Sequence, residues 1–184
     1  MIKKYIQKNY INLCSPVMGT KIYDYSDQFF GLASRMLKDE PPVFKDGVYD
    51  KNGKWMDGWE TRRKRSNGND YLIIKLGKPG LIKNIDIDTS FFNGNQPEYI
   101  SLEGSNSVIL KNDRNVIWKK IIKKSKVFPN KNNQFKSTTN STFKYIKLNI
   151  FFEFIILNPC FASGFNFCLD RILDHLNFFD LLSK

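Results

Sequence analysis

Apolar and polar side chains alternate along three parts of the chain. The run over 71–76 ends in a Gly/Pro-rich segment at 77–80, and regular alternation resumes over 81–88. This pattern predicts two strands joined by a turn. A third alternating run over 143–150 places its isoleucine and leucine side chains on one face, which predicts a half-buried strand.

Helical periodicity is scarce before residue 150. A short helix is predicted over 27–37, ended by Pro41 and Pro42, and apolar spacing over 168–182 predicts an amphipathic C-terminal helix. Short strands with long irregular connections predict an all-β fold, an antiparallel β-sandwich. We expect an N-terminal extension at 1–11, the sandwich at 12–150 and a divergent apolar tail at 151–184.

The composition predicts one ordinary folded domain, and the cysteine usage predicts a reducing compartment. The 184 residues are 41% hydrophobic and 26% charged, which suits one folded domain. Three cysteines without a C-x-x-C pair indicate neither a zinc site nor a disulfide framework, so we expect a cytoplasmic protein. The basic N-terminus lacks the apolar stretch of a secretion signal, and no membrane span is expected because the apolar runs are too short.

A single histidine, His175, limits the possible chemistry. Histidine-dependent triads and multi-histidine metal centres would all have to be built around it, and its setting is typical of a helix surface. Acid/base chemistry would therefore use carboxylates, Lys, Tyr or water. Scattered Asp and Glu define no metal motif, so no cofactor is predicted, although a divalent ion held by carboxylates stays open.

The positive charge is regional. The segment 111–147 contains ten lysines, Arg114 and Asp113, which is +10 of the net +11. A solvated strand face explains it better than a nucleic-acid surface, since only Trp118 and Phe128 are available to stack bases. Nucleic acid is therefore an improbable partner.

The densest chemistry lies between Gly53 and Arg65. Two tryptophans, two acids and three arginines stand close together there. Tryptophans that anchor a loop, with acids and arginines paired beside them, would explain the segment structurally. A binding site explains it equally well, because Arg forks bind planar anions and carboxylates move protons. A nuclear-localisation patch is the weaker alternative.

This segment resembles the signature of the allantoicase family. Four further blocks agree with the family in the same order, at 12–16, 27–30, 40–44 and 85–95. The resemblance covers about residues 12–150. It corresponds to the first of two related repeats, and the tail at 151–184 diverges from the family.

The resemblance implies a jelly-roll β-sandwich similar to galactose-binding domains. It also implies a hydrolase of purine breakdown that converts allantoate and water to ureidoglycolate and urea, and a homo-oligomer. Allantoate is a carboxylate with two ureido groups, so a site needs an Arg clamp, N–H acceptors and proton-transfer groups. By position in the signature, the catalytic candidates are Asp57, Glu60 and Asp70. The substrate-binding candidates are Arg62, Arg63, Arg65, Asp86, Asp88, Thr89 and Asn95.

Some of these residues also fit other interpretations. Asp86 and Asp88 fit outward positions of a strand whose inward residues are Ile85 and Ile87. Position 69 departs from the family, because family members commonly carry His where this chain has Asn69. A site between repeats would leave one repeat folded but inactive, and a non-catalytic module that binds a small carboxylate or sugar is the runner-up function.

Overall fold

The strands form one large antiparallel sheet and two small ones. The computed structural model describes residues 10–64, 66–107 and 116–152. Within them the strands are β1 (Lys21–Tyr25), β2 (Tyr49–Asp50), β3 (Gly53–Lys54), β4 (Asp70–Leu81), β5 (Asn84–Asp88), β6 (Tyr99–Ser105), β7 (Lys119–Lys126), β8 (Asn132–Lys136) and β9 (Thr142–Phe151). Short 3₁₀ helices lie at Pro16–Met18 and Ala33–Met36.

All strand pairs are antiparallel, which confirms the predicted fold class. The large sheet has the order β1-β4-β9-β6-β7, β5 pairs with β8, and β2 with β3 forms a hairpin. The alternating run over 143–150 is the inner strand β9, and its apolar face is buried.

The core lies between the large sheet and the β5–β8 pair. Leu72, Ile100 and Ile121 of the large sheet are fully buried, and Ile85 and Ile87 of β5 pack against this cluster. Alternation therefore orients both layers, because each turns an apolar face towards the other. Ile73 of β4 and Tyr145 of β9 form a separate, smaller buried cluster.

The predicted turn at 77–80 is wrong. Strand β4 runs through it to Leu81, pairing with β1 and β9 rather than with β5, and its register shifts between Lys75 and Gly80. A Cβ on Gly77 would lie 1.8 Å from the Met18 carbonyl oxygen. Glycine is therefore needed for the close approach of the N-terminal segment, not for a turn.

The predicted helix over 27–37 is reduced to the 3₁₀ turn at Ala33–Met36. The amides of Phe30 and Gly31 bind the Glu60 carbonyl at 3.2 and 3.0 Å, so these residues join a bridge to another segment instead of a helix. The predicted helix over 168–182, and with it His175, lies outside the described residues. No helix among the described residues is long and apolar enough to cross a membrane.

Replacing Gly77 with Ala should destabilise the fold strongly. The added methyl group would displace the backbone near Met18, and we expect a loss of about 3 kcal/mol in the free energy of unfolding. Lys78→Ala, at an exposed neighbouring position, is the control. Urea denaturation measures both, and equal stabilities would contradict the close approach.

Candidate active site

An open cavity of about 580 Å³ gathers part of the chemistry that the sequence predicted. Four predicted residues line it, namely Glu60, Arg62, Arg63 and Asn95. The other lining residues are Phe30, Phe44, Gly53, Lys54, Met56, Thr61, Phe91 and Asn93.

Glu60 is held by its own backbone. Its N–H donates to the Gly31 carbonyl at 3.1 Å, and its carbonyl accepts from the Gly31 N–H at 3.0 Å. A Cβ on Gly31 would lie 2.6 Å from the Gly58 carbonyl oxygen, so only glycine allows the two segments to approach this closely. The Trp59 indole donates to the Asp27 carbonyl at 2.7 Å and packs on the core. The carboxylate therefore projects from an anchored segment.

The environment of Glu60 favours its protonated form. Burial raises the pKa of this carboxyl above its usual value, although a hydrogen bond from Asn95 and the charge of Arg63 act in the opposite direction. Asn95 Nδ2 donates to Glu60 Oε1 at 2.9 Å. A carboxyl group with a raised pKa can carry a proton nearer neutral pH, which general acid/base chemistry requires.

Asp70, the first residue of β4, is buried at 5% exposure and does not line the cavity. Its carboxylate accepts from Ser26 Oγ at 2.8 Å, from Thr61 Oγ1 at 3.0 Å and from the Lys64 backbone N–H at 3.0 Å. These bonds fix the chain on both sides of Arg63, because Thr61 lies two residues before it and Lys64 directly follows it.

Arg63 has a left-handed backbone conformation, with φ of 60°. Non-glycine residues rarely adopt this region, and such strain persists only where neighbouring contacts hold it. Its amide also donates to Thr61 Oγ1 at 3.1 Å. Asp70 and Thr61 together therefore hold Arg63 at the cavity.

Arg62 lines the cavity but already has an acidic partner. Its side chain pairs with Asp27, at 3.1 Å between Nη2 and Oδ1, and lies over the Phe29 ring. No salt bridge to Arg63 occurs in the part of the chain that the structure describes. The guanidinium of Arg63 is therefore a better anion contact than that of Arg62. Arg65, the third predicted clamp residue, lies outside the described residues.

Asp57 lies outside the cavity lining. Its largely buried side chain forms an ion pair with Lys38 and accepts from the Val43 N–H at 2.7 Å. The carboxylate therefore ties the 38–43 segment to the signature.

The residues predicted from β5 and directly after it take other positions. Asp86 and Asp88 are exposed, and Asp88 Oδ1 accepts from the Ser90 N–H at 2.8 Å. Thr89 is buried, and its hydroxyl contacts the carbonyls of Phe128 and Lys131. None of the three lines the cavity.

Asn69 faces a different network. Its Nδ2 donates to the Asn149 side chain at 3.0 Å and to the Asp70 carbonyl at 2.9 Å. Asn149 in turn donates to Ser101 and Glu103. Position 69 therefore contacts the middle strands of the large sheet and does not line the cavity.

Sequence reasoning missed Lys54 and the aromatic cavity residues Phe30, Phe44 and Phe91. Phe44 and Phe91 stand inside blocks that carry the family resemblance, which was the available signal, but phenylalanine usually indicates packing. Across residues 10–64, 66–107 and 116–152, no cluster of three His, Cys, Asp or Glu could hold a metal ion. Five lysines lie exposed on the edge strand β7, namely Lys119, Lys120, Lys123, Lys124 and Lys126.

Comparisons with known proteins match this region to one family. The Allantoicase repeat family model matches residues 11–152. A probable allantoicase of Pseudomonas fluorescens (strain Pf0-1) is 40% identical over 78% of this chain and 44% of that protein. A probable allantoicase of Acinetobacter baylyi is 44% identical over 76% of this chain and 42% of that protein.

A solved structure agrees with the sequence relatives. The allantoicase of Saccharomyces cerevisiae has a TM-score of 0.66 and 28% identity, over 82% of this chain and 47% of that chain. The match thus covers less than half of each of these proteins. The resemblance drawn from the signature is confirmed.

The stability of the protein should depend on pH through the ionisation of Glu60. Its folded-state pKa is raised, so the folded state binds the proton more tightly and stability falls as pH rises from the ordinary Glu pKa through the raised value. Glu60→Gln cannot ionise, so its melting temperature should match wild type at about pH 4 and exceed it at about pH 8.

Differential scanning calorimetry across this pH range measures the effect. Glu40→Gln, at an exposed position, is the matched control and should show no comparable gap. A melting temperature of Glu60→Gln below wild type at about pH 8 would contradict the destabilising burial of this carboxylate.

Proposed function

Because the chain belongs to the allantoicase repeat family, we propose that it forms an allantoate-binding and hydrolytic unit that converts allantoate and water to ureidoglycolate and urea. The observation that carries the proposal is one cavity lined by Glu60, Arg63 and Asn95. These side chains supply a proton carrier, an anion contact and an amide.

Arg63 binds the carboxylate of allantoate in this proposal. A guanidinium offers two parallel N–H donors to a carboxylate, which fixes the orientation of the substrate as well as its affinity. Arg62 contributes less, since Asp27 already neutralises it. Lys54 also lines the cavity, and its Nζ lies 3.9 Å from Asp46 Oδ1.

Glu60 carries the proton. Hydrolysis breaks the bond between the central carbon and one ureido nitrogen, adds the hydroxyl of water to that carbon and places a proton on the departing nitrogen. The ionised carboxylate accepts a proton from water, and the protonated form donates one to the nitrogen, so a single residue balances both transfers. Its raised pKa supports this dual use.

Asn95 orients both Glu60 and the ureido group of the substrate. An ionised carboxylate only accepts hydrogen bonds, so the Asn95 amide nitrogen must face Glu60. Its carbonyl oxygen then serves as an acceptor for a ureido N–H.

The remaining candidates support the site from outside the cavity. Asp70 holds Arg63, and Asp57 ties the 38–43 segment to the signature. The proposal invokes no cofactor. It includes the homo-oligomer of the family resemblance and a cytoplasmic location, which the cysteine usage of the chain favours.

Loss of Arg63 should reduce turnover far more than loss of Arg62. We expect Arg63→Ala to lower kcat/KM for urea release from allantoate about 30-fold, the size of one charge-assisted contact, and Arg62→Ala to lower it less than threefold. Glu60→Gln should lower kcat by at least about 100-fold. Colorimetric detection of urea measures all three.

The purified chain is the reference for this assay. Equal losses for the two arginine variants would contradict the assignment of Arg63. Binding of allantoate without urea release, measured by calorimetry, would instead support the non-catalytic binding module.

A further inference from the structure

Two phenylalanines of the cavity are exposed where burial would be expected. Phe44 is 45% exposed and Phe91 is 41% exposed, and their ring centroids lie 5.6 Å apart with the planes tilted by 33°. Both line the cavity that contains Glu60 and Arg63. Lys54 Nζ lies over the Phe44 ring, 4.7 Å from its centroid, so a cation covers part of this pair. Partly exposed rings at a cavity are a common feature of ligand sites.

The backbone of Phe91 is strained to place its ring there. Its φ is +68°, which is a genuine outlier for a bulky residue. Its amide donates to Asn130 Oδ1 at 2.9 Å, and the Asn130 amide donates to the Phe92 carbonyl at 3.0 Å. Asn130 itself has a φ of +47°. The strained Phe91 is thus held by Asn130, a residue type that tolerates a positive φ.

A buried polar cluster lies beneath this loop. Thr89 binds the carbonyls of Phe128 and Lys131 through its hydroxyl, at 2.6 and 2.8 Å. Asn133 Oδ1 accepts from the Phe128 amide, and its Nδ2 lies 3.3 Å from Thr89 Oγ1. The loop that carries Phe91 is therefore fixed to the loop that carries Asn130.

The same loop is joined to the proton-carrying segment. The ring of Phe92 is buried against Gly58, where a Cβ would lie 3.1 Å from it. Asn95 reaches Glu60 from the other end of the loop. The rings and the carboxylate consequently belong to one interlocked region.

We propose that Phe44 and Phe91 form a specificity-determining aromatic wall that binds the planar, uncharged ureido part of the substrate. This inference rests on the proposed function and deepens it. A ureido group is flat and exposes a weakly hydrated face, so it stacks on a ring while its edges hydrogen-bond to Asn95 and Glu60. Thr89, Asn130 and Asn133 are positioning residues, because they act through Phe91.

The wall divides recognition of the substrate between two surfaces. Arg63 binds the carboxylate, and the rings of Phe44 and Phe91 bind the ureido group. A small carboxylate that lacks a ureido group should therefore bind through Arg63 alone.

Two probe ligands separate these contributions. N-carbamoylglycine has a carboxylate and a ureido group, whereas glycolate has a carboxylate without a ureido group. We expect the intact chain to bind N-carbamoylglycine about fivefold more tightly than glycolate in an NMR titration. Phe91→Ala should weaken N-carbamoylglycine about fivefold and glycolate less than twofold, and Phe91→Tyr should restore the preference.

Controls distinguish the wall from general damage. Phe128→Ala removes a ring that is 50% exposed but outside the cavity, and it should leave both affinities unchanged. Arg63→Ala should weaken both ligands alike. Phe91→Gly, which relieves the positive φ, should melt at a higher temperature than Phe91→Ala while losing the same preference.

Each outcome has one meaning. An unchanged preference in Phe91→Ala, with both ligands bound, overturns the aromatic wall and leaves the proposed function standing. Failure of the intact chain to bind either carboxylate overturns the proposed function and the wall with it. A change of molar mass by light scattering in Phe91→Ala, without a change in preference, identifies the rings as a contact between chains and also overturns the wall.

Discussion

The site depends on the buried carboxylate of Asp70. A carboxylate removed from water must have its charge compensated, and here a side-chain hydroxyl on each of two segments and a backbone amide do so. These donors come from Ser26, Thr61 and Lys64, so one charge joins the end of β1, the signature and the start of β4. Arg63 lies between two of the three anchors. Its strained backbone persists because Thr61, two residues before it, and Lys64, directly after it, are both held by Asp70.

The positive backbone φ angles of non-glycine residues and the partly buried carboxyl group of Glu60 lie on segments between the named strands. Arg63, Phe91 and Asn130 have positive φ, and Glu60 has a carboxyl whose pKa is raised by burial. Each of these lowers stability by itself. The packed core of the large sheet and the β5–β8 pair compensates for them, since it buries apolar side chains from both layers against one another. The division is typical of proteins that hold a binding site on loops above a sandwich.

Much of the fold was predictable because strand alternation is a local signal. The run over 143–150 became β9, and the alternation of β5 placed Ile85 and Ile87 inward as expected. The segment at 77–80 was not predictable in this way. Glycine and proline indicate a turn locally, but Gly77 instead admits the backbone of Met18, a contact nearly sixty residues away. The predicted helix over 27–37 failed similarly, because the amides of Phe30 and Gly31 bind the Glu60 carbonyl and only a 3₁₀ turn forms after them.

The sequence by itself determined the fold class, the family and the segment that holds the chemistry, because each depends on residue types at short spacing. Only the tertiary structure decided which residues share the cavity. Asp57, Glu60 and Asp70 are alike as acids within one stretch of sequence, yet Lys38 pairs with the first, and Ser26, Thr61 and Lys64 donate to the last. Glu60 alone of the three lines the cavity. The reason is physical: a carboxylate's role depends on its burial and partners, and here those partners come from distant segments that the fold brings together.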